Sequence, residues 1–200
     1  RRPTLGEELP SNLKKYDLVV VFGGPMSVND NNEFIEKEIE WIGNVLNSEV
    51  PFLGICLGAQ MLAKYLGCKI EKNSNNLSEI GFYKIIPKGN GIKMFNSQDI
   101  FYQFHSEGFQ LPNGCELLAK GDIFNNQAFK YKNCYGLQFH PEVNIYLHLK
   151  WLFLVLLKKP RVLFTKGSQN IFQQLILRFK YNKSISKWLD VFLDNYLLKE

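Results

Sequence analysis

The sequence predicts an α/β fold: an open, mostly parallel sheet flanked by helices, with an antiparallel extension. Three observations carry this. Asp17 to Phe22 contains a continuous apolar run of the kind buried on both faces of a parallel sheet. Pro51 to Ile55 is another such run, and Leu57, Met61, Leu62, Tyr65 and Leu66 follow it at helical spacing. From Gly81 to Phe139 the chain then offers strand candidates without a helical pattern between them, as antiparallel neighbours require.

Arg1 to Lys15 is polar, carries Pro3 and Pro10, and reads as a lead-in loop to a single domain spanning 1–200. Gly23-Gly24-Pro25 follows at the carboxyl end of the first strand, where ligands of open α/β sheets collect. Glycine there lets main chain approach a substrate, and one N–H of the turn is placed to serve an oxyanion. Asn31 or Asn32 is positioned to cap a helix on which Ile35, Ile39, Ile42 and Leu46 form one stripe, while Glu36, Lys37, Glu38 and Glu40 face water.

Cys56 stands where the second strand becomes a helix. Gly54-x-Cys56-x-Gly58 is the sulfur version of the Gly-x-Ser-x-Gly turn, in which the nucleophile is held in a strained conformation and its flanks are small because strand and helix pass closely. The helix N-terminus favours a thiolate, and the Leu57 N–H can face an oxyanion.

Gly67 ends the turn after this helix, and Cys68 to Glu71 alternates like a strand. Gly81 to Ile86 and Ile100 to Phe104 are further strands, parted by polar turns at 88–91 and 96–97. Leu117 to Ala119, Gln127 to Tyr131 and Tyr135 to Phe139 continue the antiparallel extension, the last pair joined at 132–134. The stretch 144–200 reads as helices over Ile145 to Leu157, Gln169 to Phe179 and Ser184 to Leu198, with Pro160 and Gly167 as breaks. Trp188, Val191, Phe192 and Tyr196 make an apolar face suited to the sheet.

Gly136 to Glu142 looks like a strand ending in His140-Pro141-Glu142. Alternation puts positions i and i+2 on one side, so Glu142 is placed to hold the His140 imidazole from behind. Cysteine, histidine and carboxylate form the set needed for acyl transfer. His105 is a rival base, ranked behind His140. Cys68, Cys115 and Cys134 show no base-bearing context, and His148 falls in an aromatic, leucine-rich helix, so all four read as structural.

Gly54-Ile55-Cys56-Leu57-Gly58-Ala59-Gln60, Phe139-His140-Pro141-Glu142-Val143 and the upstream Val21-Phe22-Gly23-Gly24-Pro25-Met26-Ser27-Val28 resemble the class I glutamine amidotransferases. Specifically, they resemble the stand-alone, GMP synthase-like glutaminase domains, over residues 16–143. The resemblance implies a flavodoxin-like sheet and a triad of Cys56, His140 and Glu142 that releases ammonia from glutamine. It implies an oxyanion hole from the N–H groups of Gly24 and Leu57. Substrate contacts are implied for Gln60, one helical turn past Cys56, and for His105, Ser106 and Glu107 along the pocket. No metal or organic cofactor is needed.

L-glutamine is the implied substrate. The sequence has no ATP-binding motif, so a separate ammonia-accepting synthetase is the implied partner. Members of that family begin with an earlier strand that this sequence does not show, and the fold is expected to lack it. The same residues fit a γ-glutamyl hydrolase acting on γ-glutamyl conjugates. The missing strand fits a truncated, non-catalytic remnant serving as a binding or regulatory protein.

Composition limits the partners. With 46% hydrophobic and 14% aromatic residues, the chain can build one sizeable core. Its four cysteines show no CxxC or metal-ligand spacing, which places it in a reducing, cytoplasmic setting. The apolar run Trp151 to Leu157 is too short to span a bilayer. Net charge is uneven: residues 1–149 carry 14 Lys/Arg against 16 Asp/Glu, and residues 150–200 carry 10 against 3. The basic tail reads as solvated helix faces rather than a nucleic-acid surface. Its hydrophobic surplus either covers the sheet or meets a second copy in a homo-oligomer.

Overall fold

The structure, a computed structural model, describes residues 1–198. Its main sheet has six strands in the order β1-β2-β10-β9-β8-β5. β1 (Val19–Val21), β2 (Phe52–Ile55) and β10 (Cys134–Leu137) run parallel, with Leu53 opposite both Val20 and Tyr135. β9 (Ala128–Tyr131), β8 (Glu116–Lys120) and β5 (Ile86–Pro87) add on antiparallel. The sheet is therefore mixed: its parallel part is three strands wide and the extension makes up the rest.

Alternation within the strands sends apolar residues to both faces. On one face Val19, Val21, Phe52 and Cys134 meet Ile35, Ile42 and Val45 of α1 (Glu33–Ser48) and Met61 and Leu62 of α2 (Leu57–Tyr65). On the other, Leu53, Ile55, Tyr135 and Leu137 meet Phe95 of α3 (Gly91–Phe95) and Ile185, Trp188 and Phe192 of α5 (Ile171–Phe192). Phe101 and Phe139 stack at 4.2 Å between these layers, and Trp188 stacks on Phe95 at 5.3 Å. Burying so many large rings is what lets α5 cover the sheet.

Several expectations are corrected. Segments 81–84 and 100–104 do not widen the main sheet, which Ile86 alone of 81–86 joins, through β5: β4 (Glu79–Lys84) and β6 (Ile100–His105) pair with each other as a separate ribbon, Glu79 opposite His105. β3 (Ile70–Lys72) likewise pairs only with β7 (Glu107–Phe109). The polar stretch around residue 91 contains the short helix α3, docked through Met94 and Phe95. The two helices expected over 169–198 are one helix, α5, followed by a π-helical turn, Leu193–Leu197, because nothing between 179 and 184 breaks the ladder. Val191 is on its outer face, 44% exposed.

α4 (Ile145–Lys158) and α5 are capped by Asn144 and Asn170, which accept from the N–H groups of Leu147 and Gln173. Asn32 holds the corresponding place before α1, but its side chain makes no capping bond. Among the described residues no helix is long and apolar enough to cross a membrane.

Candidate active site

The nucleophile elbow is built by three close approaches. Cys56 takes φ 50° and ψ −104° between β2 and α2, a conformation that L residues rarely adopt. A Cβ on Gly54 would lie 2.6 Å from the main-chain oxygen of Gly58, and a Cβ on Gly58 would collide with that of Val21. The Cys56 N–H donates to the Leu137 carbonyl at 2.7 Å, tying the elbow to β10.

His140 and Glu142 come together beyond the end of β10. His140 Nδ1 donates to Glu142 Oε1 at 2.8 Å. The carboxylate reaches the ring by a turn at Pro141 and not by strand alternation, since β10 stops at Leu137. The His140 N–H donates to the Tyr102 carbonyl at 2.8 Å, and Trp151 stands edge-on to the imidazole at 5.1 Å. With Nδ1 committed to Glu142, Nε2 is the nitrogen left to serve Cys56, which lines the same cavity as the ring. Burial disfavours the charged ring. The Glu142 charge, the Cys56 charge and the hydrogen bonds to both outweigh it, and His140 is pushed up to about 10. Gly23 sits where the two side chains meet: a Cβ there would lie 2.8 Å from His140 Cε1 and 3.3 Å from Cys56 Cβ.

Two adjoining cavities, which share Gly24, Cys56 and Phe104 in their linings, open at the elbow. One, of about 360 Å³, is lined by Gly24, Leu57, Gln60, His105, Ser106 and Glu107. The other, of about 450 Å³, is lined by Gly23, His140, Trp151, Leu154 and Lys158. Every residue named from the sequence for the oxyanion and substrate thus borders the first cavity, while His140 borders the second. Gly24 and Leu57 are neighbours, a Cβ on Gly24 lying 3.2 Å from Leu57 Cδ2.

His105 does not point at the sulfur. Its Nε2 lies 3.0 Å from Glu79 Oε2 and its Nδ1 donates to the main-chain oxygen of Glu107 at 2.9 Å. The Glu107 carboxylate turns the other way and accepts from Ser27 Oγ at 2.6 Å. Gln60 uses its Nε2 on the Glu107 carbonyl, at 2.9 Å, and on Gln138 Oε1, at 3.3 Å.

Sequence reasoning missed Gln138, whose Nε2 reaches Cys56 Sγ at 3.8 Å. Its place two residues before His140 carries no signal on its own, because β10 has already ended at Leu137. It also missed Glu79, Gln103, Gln127 and Arg178, all at most 1% exposed. Arg178 lies 4.8 Å from the Phe82 ring and 5.1 Å from the Tyr102 ring, and its Nε donates to His148 Nδ1 at 3.3 Å. The other thiols are held protonated: burial raises Cys68, pushes Cys115 up to about 11 and Cys134 up to about 12. Among the described residues no cluster of His, Cys, Asp and Glu is placed to hold a metal ion.

Comparison with known proteins identifies the family. The family model "Glutamine amidotransferase class-I" matches residues 3–158. The glutamine-hydrolyzing GMP synthase subunit of Saccharolobus solfataricus is 33% identical over 138 residues, covering 66% of this chain and 70% of that protein. The glutamine-hydrolyzing GMP synthase of Staphylococcus saprophyticus is 33% identical over 62% of this chain, which spans only 24% of that longer protein. The crystal structure of a glutamine amidotransferase from Thermotoga maritima superimposes with a TM-score of 0.85 at 30% identity, covering 98% of this chain and 84% of that one. This chain belongs to the class I glutamine amidotransferases.

Proposed function

We propose that the chain hydrolyses the side-chain amide of glutamine to glutamate and ammonia through Cys56, His140 and Glu142. The observation that carries this is an elbow-strained thiol brought beside an imidazole, both against Gly23, with the ring's Nδ1 held by a carboxylate at 2.8 Å. The sulfur attacks the amide carbon, and the oxyanion rests on the N–H groups of Leu57 and Gly24. Ammonia leaves with a proton from His140, and a γ-glutamyl thioester remains on Cys56. Water, deprotonated by His140, hydrolyses the thioester to glutamate and restores the thiol. Glu142 keeps the ring in the tautomer both steps need.

Ammonia released into neutral water is protonated and lost as a nucleophile. The names of the relatives, which include a glutamine-hydrolyzing subunit of GMP synthase, favour a separate synthetase subunit as its recipient. The cavity on the His140 side supports a second reading, a γ-glutamyl hydrolase, because about 450 Å³ accommodates a leaving group larger than ammonia. Glutamine and γ-glutamyl conjugates offered to the same preparation separate the two. Release of glutamate from glutamine by the wild type and its loss in Cys56→Ala is the expected result. Undiminished turnover by Cys56→Ala would refute the assignment.

A further inference from the structure

A hydrogen-bonded path joins a buried carboxylate, far from the triad in sequence, to the sulfur. Glu79, 1% exposed, faces His105 across the β4/β6 ribbon at 3.0 Å. His105 Nδ1 and Gln60 Nε2 share the main-chain oxygen of Glu107, each at 2.9 Å. Gln60 continues to Gln138 Oε1 at 3.3 Å, and Gln138 Nε2 continues to Cys56 Sγ at 3.8 Å. No step passes through His140 or Glu142.

Two glutamines, both 0% exposed, set the direction of the bonds at the far end. Gln127 Nε2 donates to Glu79 Oε2 at 2.7 Å and to the Phe124 carbonyl at 3.2 Å. Its own oxygen then accepts from Gln103 Nε2 at 2.7 Å, which turns Gln103 Oε1 toward His105 Nε2 at 3.1 Å. His105 therefore has a carbonyl oxygen on one nitrogen and two oxygen acceptors on the other. Both ring nitrogens are thus held, and the ring ties the Glu79 carboxylate to the Glu107 main chain.

We propose that Glu79 is a positioning residue for the substrate: through its contact with His105 it fixes the 105–107 strap against Gln60, and so shapes the wall that receives the γ-glutamyl group. This rests on the glutaminase reading above. Replacing Glu79 by Gln removes the carboxylate oxygen that meets His105 and Gln127, and frees the strap. Substrate affinity falls, whereas the thiol, served by His140 on its other side, keeps its reactivity.

The test uses the full chain and two reagents for Cys56, read by mass spectrometry. Iodoacetamide is too small to need the wall. A diazoketone analogue of glutamine saturates only where the wall is formed. Glu79→Gln is expected to raise the half-saturating diazoketone concentration by about ten-fold or more, with the iodoacetamide rate within about two-fold of wild type. A folded Glu79→Gln variant with wild-type half-saturation overturns the proposal and leaves the glutaminase reading standing. So does an iodoacetamide rate that falls in step with diazoketone labelling. A wild type that never saturates with the diazoketone overturns both. Should Glu79→Gln not fold, Glu79→Asp, which keeps a carboxylate on a shorter arm, is put through the same two reagents. The half-saturating diazoketone concentration is expected to rise with the iodoacetamide rate unchanged, and wild-type half-saturation overturns the proposal.

Discussion

Gly58, in the first turn of α2, lies against the main-chain oxygen of Val21 with no room between them for a methyl group. Strand β1 and the helix of the nucleophile are thus in backbone contact, and the pose of Cys56 depends on it. Gly58→Ala is expected to cost about 1–3 kcal/mol through overpacking. It should also slow alkylation of Cys56 more than that of the other thiols. Urea unfolding and mass-spectrometric labelling check this, and an alanine variant with wild-type midpoint and rate would show that the contact does not set the elbow.

Cys56 should be the thiol that reacts at neutral pH. Burial holds Cys115 and Cys134 far above their ordinary range, at about 11 and about 12, so few of their sulfurs are ionised at pH 7. Brief iodoacetamide treatment of the wild type is expected to modify Cys56 alone. In His140→Asn that labelling should fall by about ten-fold or more, because the thiolate loses its partner. Equal labelling of all four cysteines would mean that no site has formed.

Stability should fall on both sides of neutrality, for opposite reasons. His148 is lowered from 6.5 to about 4, by burial first and the Arg178 charge second, against the Gln174 hydrogen bond. Between pH 6.5 and 4 the unfolded chain takes up a proton there that the folded chain refuses, so stability drops as pH falls through that window. His140 is raised from 6.5 to about 10, so its contribution is complete below pH 6.5 and is lost as pH rises toward 10. Urea midpoints measured across this range should peak near neutrality. His148→Asn should flatten the acid side and His140→Asn the alkaline side; an unchanged acid slope in His148→Asn contradicts the first assignment.

Trp188 should be among the costliest single truncations. Its ring stacks on Phe95 at 5.3 Å and on Phe192 at 5.1 Å, meets Phe101 edge-on at 4.8 Å, and donates from Nε1 to the Met94 carbonyl. Trp188→Ala is expected to destabilise by about 3–5 kcal/mol in urea or thermal unfolding. A loss below about 1 kcal/mol would place the ring outside the cooperative core.

What the sequence revealed follows the range of each signal. The elbow was legible because its needs are local: small residues at 54 and 58 around a strained 56. So were the apolar strands Val19–Val21 and Phe52–Ile55, whose burial on both faces shows as an unbroken run. The partners of β4 and β6 were not, because alternation marks a strand without saying which strand it joins. His-x-Glu spacing occurs twice, at 105–107 and 140–142, and periodicity does not separate the copies. In one the carboxylate returns to its own histidine; in the other it goes to Ser27, and Glu79 takes its place. Arg178 and the buried Gln103, Gln127 and Gln138 left no trace, since a lone polar residue reads as solvated until its neighbours are known.

The matched family model ends at residue 158, yet Ile185, Trp188 and Phe192 lie beyond it and roof the sheet face that carries Leu53, Tyr135 and Leu137. A protein trimmed to that boundary would retain each reagent of the proposed reaction and expose a floor of apolar side chains to water. The family model marks where the chemistry is written. The helix beyond it decides whether that chemistry has anywhere dry to happen.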